Sequence, residues 1–126
     1  MLWSKRKNLP IEEQRKITEE QFQKLKDKFL TNEQKAIVHL KELPEIYWLV
    51  YEPWSYGLTF YDYSVKGNHM YVAIRLFSKH ENMAVLLDTI THEFAHVYLN
   101  FTNSKHTHGE EHTKQKEFFL KYLILG

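Results

Sequence analysis

Residues 82–102, NMAVLLDTITHEFAHVYLNFT, decide how this 126-residue chain is read. Met83, Leu86, Leu87, Ile90, Phe94, Val97, Tyr98 and Phe101 recur at i, i+3, i+4 and i+7, the spacing that lays an apolar stripe along one side of an α-helix. Asn82 stands where an N-cap is wanted. On the opposite face His92 and His96 are four residues apart, so they sit one turn above the other and their ring nitrogens can converge on one zinc ion. Glu93 follows His92 by about 100° round the helix. That step keeps it out of the ligand set but beside an open coordination position, where it serves as general base toward metal-activated water. The pattern points to metal-assisted hydrolysis.

A catalytic zinc needs a third protein ligand and one open position. The chain has eight His, five of them between His92 and His112. His106, His108 and His112, with Glu110 and Glu111 as carboxylate options, are the candidates. His108 precedes Gly109 at the mouth of the last helix, and His112 lies one turn further on. His39, His69 and His80 read as hydrogen-bonding or solvated side chains. Asp88, four residues before His92, either orients a ligand ring or is solvated. Tyr98 and Tyr71 fall at apolar spacing and read as core.

Working outward, Pro10, Ile11, Ile17, Phe22, Leu25, Phe29 and Leu30 predict a helix over about 10–30. A shorter helix is expected from Thr31 or Asn32, with Ala36, Ile37, Leu40 and Leu43 on one side, ending before Pro44. The aromatic and β-branched run from Ile46 to Tyr63 reads as strand, and Gly67-Asn68 as the turn of a hairpin over about 58–77. A final helix is expected over about 109–124. The result is one α+β domain spanning 1–126, with N-terminal helices, a small antiparallel sheet of about three strands, the His-bearing helix and a C-terminal helix.

Apolar residues make up 43% and charged residues 26%, which suits one folded core. With no Cys, a disulfide scaffold, a Cys-ligated zinc ribbon, a thiol nucleophile and an iron–sulfur cluster are excluded. The net charge is +1, with a weak basic cluster at Lys5, Arg6 and Lys7. No apolar run approaches the ~20 residues of a membrane span, so the expectation is an intracellular protein without a membrane partner. Nothing in the chain sets an oligomeric state.

LLDTITHEFAHVYL at 86–99, HGEE at 108–111, and YGLTFYDYSVKGNHMYVAIRLFSKHENMAVLL at 56–87 together resemble the SprT-like (Spartan-type) zinc metallopeptidases of the HExxH zincin group. The likeness covers about residues 20–126. It implies a minimal zincin-like α+β core binding one zinc ion through His92, His96 and His108, with Glu93 as general base. In that family the third His stands in a His-Gly-x-x-Phe or Trp pattern, whereas here the fourth residue after His108 is His112. The implied activity is that of a zinc endopeptidase acting on a protein or peptide substrate. The alternative is a non-catalytic, zinc-stabilised protein- or nucleic-acid-binding module. The family's association with DNA would make Lys5, Arg6, Lys7, Arg15 and Lys16 its contacts.

Overall fold

A computed structural model describes residues 9–62, 68–76, 82–102 and 109–126. Helix α1 (Ile11–Phe29) begins after Pro10, carries Glu12 and Glu13 in its first turn and Lys26 and Lys28 in its last, and so complements its own dipole at both ends. Its apolar stripe buries Ile17, Phe22 and Leu25. Helix α2 (Asn32–Ala36) is started by a capping box: Gln34 N donates to Thr31 Oγ1, and Thr31 N donates to Gln34 Oε1.

Two segments depart from the periodicity reading. The second helix stops at Ala36 instead of running to Pro44, because the β-branched pair Ile37-Val38 opens a strand, β1 (Val38–Leu40), that the rest of the fold pairs. Met70 N donates to Ile37 O and Lys41 N to Val72 O, both at 2.8 Å, while Lys26 Nζ reaches Val38 O at 2.7 Å. The second departure is α3 (Glu45–Tyr51), a helix where the aromatic composition suggested strand. Pro44 occupies the N-cap and Glu45 the first turn, signals of a helix start that outweigh β-propensity here.

The hairpin is as expected. Strand β2 (Gly57–Asp62) pairs antiparallel with β3 (His69–Ile74) from Gly57↔Ile74 to Asp62↔His69. Gly67 lies outside the described residues; Asn68 has φ 54°, a left-handed turn conformation that Asn tolerates better than most residues. Strand β1 runs parallel to β3, so the sheet has order β1-β3-β2 and is mixed rather than antiparallel. Five helices and three strands among the described residues make the class α+β.

Helix α4 (Met83–Thr102) is capped as predicted, Val85 N donating to Asn82 Oδ1, and α5 (Glu110–Leu125) packs along it. Phe94 of α4 is wholly buried, edge-on to Phe22 of α1 and to Phe119 of α5 at 5.8 and 4.9 Å between ring centres. Those rings, with Leu25, Val38, Val72, Leu86 and Ile90, form the core that fixes α4 between sheet and helices. Thr89 and Thr91 can be buried on α4 because their hydroxyls donate to the Val85 and Leu87 carbonyls. His39 and His69 meet across β1 and β3 with ring nitrogens 2.6 Å apart. Burial, then the neighbouring His69 and Lys26, hold His39 below its ordinary pKa. No helix among the described residues is long and apolar enough to cross a membrane.

Candidate metal centre

The two motif histidines project from α4, and a third ring reaches them from α5. His92, His96 and His112 each offer a ligand nitrogen, and these atoms all lie within 4.8 Å of one another. Ring centres are 5.1 Å apart for His92 and His96, 4.4 Å for His92 and His112, and 4.2 Å for His96 and His112. His112 is 3% exposed. Its Nε2–H donates to the His92 carbonyl at 3.0 Å, and since a carbonyl only accepts, that bond fixes the tautomer and leaves Nδ1 as the nitrogen with a lone pair. Three neutral imidazoles on two helices fit a zinc ion with one position left over.

Of the sequence candidates for the third ligand, His112 is therefore the one brought to His92 and His96 among the described residues. His108 and His106 lie outside those residues. Glu110 is exposed and pairs with Lys114 at 3.4 Å, and Glu111 is also exposed.

Glu93 lies beside the trio and is 5% exposed. Thr59 of β2 donates its hydroxyl to Glu93 Oε1 at 2.8 Å, and Oε2 stands 3.9 Å from His92 Nε2. Burial pushes the Glu93 carboxyl up from the ordinary 4.5 to about 7, against the opposing pull of the Thr59 hydrogen bond. A carboxyl held near neutrality is well placed to take up and return a proton. Gly57 is the residue that makes room for it: a Cβ there would come within 2.8 Å of Glu93 Cγ and 3.2 Å of the Ala73 carbonyl. Neither Thr59 nor Gly57 was singled out by sequence as part of the site. Gly57 did carry one usable sign, since glycine within a strand often marks a close approach.

His92, Glu93 and His96 open on a cleft of about 680 Å³, with His112 buried behind them. One wall is Glu52, Ser55, Tyr56, Gly57, Leu58 and Thr59; the other is the α4 face from Val85 through His92 and His96 to Asn100. Asp88 lines the cleft too, but its carboxylate accepts from Lys116 at 3.0 Å and so ties α4 to α5. Tyr98 packs on Phe119 and Tyr71 on Phe60 and His39, as core and sheet residues.

A second unforeseen feature supports the outer wall. Arg75 is 3% exposed, with Nε and Nη2 on the Glu45 carboxylate at 2.9 and 3.1 Å and Nη1 on the Pro53 and Ser55 carbonyls at 3.0 and 3.3 Å. Its guanidinium lies 5.8 Å over the buried Trp48 ring. This one side chain fastens α3 and the loop after it to β3. Compared with protein-family models, curated proteins and solved structures, the chain matches none.

Proposed function

We propose that this protein is a zinc-dependent endopeptidase of the SprT-like kind, with His92, His96 and His112 holding the metal and Glu93 as general base. The observation that carries this reading is the meeting of three imidazoles from two helices beside a buried carboxyl on an open cleft. The resemblance carried by residues 86–99 supports the same class. Zinc, when bound, supplies Lewis acidity that makes a water acidic and a carbonyl electrophilic. Glu93 takes the proton from the attacking water and returns it to the leaving amine, while Thr59 holds Oε1 and so presents Oε2 to the reactants. Strand β2 is the terminal strand of the sheet and lines the cleft, so an extended peptide can add to its edge and lie across Glu93.

The nucleic-acid reading draws less support. Arg15, one of its expected contacts, is engaged by Glu42 through Nε at 2.7 Å and Nη2 at 2.9 Å, and also by Glu12. Lys5, Arg6 and Lys7 lie outside the described residues.

The purified chain is expected to bind one zinc and to cleave an unfolded protein such as carboxymethylated lactalbumin. Chelation should end cleavage, and added zinc restore it. A protein that takes up no metal overturns the proposal, and one that binds zinc without cleaving falls to the binding-module alternative. A second measurement probes the base. Gly57→Ala should push the Glu93 carboxyl aside and lower turnover by about 10- to 100-fold with zinc affinity unchanged. Equal turnover in the two proteins would show that the carboxyl's position does not matter.

A further inference from the structure

The sheet carries, on the side away from the core, a pair of histidines that takes no part in the metal centre. Val38, Met70 and Val72 are buried against the helices, so the alternation of β1 and β3 turns His39, His69 and Tyr71 to the other side. His39 Nε2 and His69 Nδ1 stand 2.6 Å apart. The rings are parallel to within 6° with centres 4.9 Å apart, so they meet through those two nitrogens and not face to face. Tyr71, stacked on Phe60 of β2, lies against the His39 ring with centres 5.2 Å apart and limits its swing. Strand β1 is three residues long and pairs with β3 alone, so a side-chain bond between the two strands adds materially to a short ladder.

Two imidazole nitrogens at that distance need one proton between them, because two lone pairs repel and two N–H groups have no acceptor. A shared zinc does not fit the spacing, since nitrogens about 2.0–2.1 Å from a tetrahedral ion stand roughly 3.3 Å from each other. One further proton can be added at an outer nitrogen without breaking the bond, because the imidazolium still donates to its neighbour. The next has to go on the accepting nitrogen, where it removes the bond and sets two cations side by side. The surroundings give that dication little relief. Lys26 of α1 donates to the Val38 carbonyl and adds positive charge beside His39. Lys41, just beyond β1, lies 5.8 Å over the Tyr71 ring. Asp27 of α1 accepts from Gln23 and from Lys35 of α2, and Glu33 of α2 is exposed. Asp62 of β2, paired with His69 in the register, sets one negative charge against the two lysines. The titratable groups of α4 that form the metal centre lie across the sheet, on the side of Thr59.

We infer that His39 and His69 form a one-proton clasp between β1 and β3, closed at neutral pH and opened by acid, which makes the β1 edge of the sheet an acid-sensitive element separate from the metal centre. Burial, with His69 and Lys26, already holds His39 below its ordinary 6.5. Below 6.5 the unfolded chain therefore takes up a proton that the clasp resists. The clasp's contribution to stability is whole above 6.5 and is lost as pH falls from there.

The test compares the full-length chain in chelator with His39→Ala, His69→Ala and the double variant. At pH 8 each single change should lower the thermal midpoint by about 3–6 °C, and the double change by little more than either, because one replacement already removes the whole bond. At pH 5 the coupling between the two positions should vanish or reverse sign. Glu93 is common to all four proteins, so its own titration cancels. Nitrogen-15 spectra of the parent's histidines need no variant: at pH 8 one of the two facing nitrogens should carry hydrogen and the other not, and in acid both should carry it while the amides of residues 38–40 lose protection from exchange. Losses that add at both pH values overturn the proposal, as does equal coupling at pH 5 and pH 8. Protonation of both rings with residues 38–40 still protected overturns it too. So does a second zinc, taken up at pH 8 by the parent and not by His39→Ala, which makes the pair a metal site instead.

Discussion

Replacing Glu93 with Gln is expected to lower turnover of an unfolded protein by about 10²- to 10⁴-fold while one zinc per chain stays bound. Gln keeps the shape and can still accept the Thr59 hydroxyl, so the only function removed is proton transfer. The same change has a second signature in the metal-free protein. The Glu93 carboxyl titrates at about 7 when folded, against an ordinary 4.5, because burial disfavours its charged form. Between those values the unfolded chain gives up its proton first. The carboxyl's contribution to stability is thus fully present below 4.5 and fades as pH rises, the whole loss of about 3 kcal/mol being in place above 7. Urea unfolding in chelator should therefore find Glu93→Gln the more stable protein at pH 8 and level with the parent at pH 4. Unchanged cleavage by this variant would remove Glu93 as the base.

His112→Ala is expected to weaken zinc binding by roughly 100-fold or more, and hydrolysis with it, because it deletes a first ligand and not merely a supporting contact. It also empties a buried site on α5 and deletes the hydrogen bond to the His92 carbonyl. His112→Asn provides the control for lost packing, since it returns a polar group to that site without an imidazole. His108→Ala supplies the contrast: zinc stoichiometry and affinity should match the parent. If His108→Ala is the variant that loses zinc and His112→Ala keeps it, the family pattern holds and the proposed ligand set fails.

Much of the fold follows from local rules visible in the chain. The apolar stripe of α4 and its Asn82 cap each determine structure within a few residues, and both are found. The stretch from Ile37 to Tyr56 obeys longer-range forces. Val38 becomes strand because β3 offers it a partner, and Tyr47-Trp48 becomes helix because Pro44-Glu45 starts one over Arg75. Aromatic content alone does not separate these outcomes. His92 and His96 were legible because four residues of helix bring them to one face, and Glu93 because a single step of about 100° leaves it beside them. His112 was only one of several candidates. Its place depends on how α5 lies on α4, which Phe94 against Phe119 and Asp88 against Lys116 decide. Thr59 and Gly57 meet Glu93 through sheet-to-helix packing, with no trace in local spacing.

The trio of imidazoles is divided between the last two helices, two rings on one and a single ring on the other. Any cation seated there is accordingly a cross-link, and on the proposed reading a reagent as well. It ties the C-terminal segment down in proportion to free metal concentration, since whatever binds only the folded form stabilises it by mass action. Starvation for metal would then loosen the end of the chain at the same moment that it silences the centre, and proteolytic nicking near the C-terminus would report the loss.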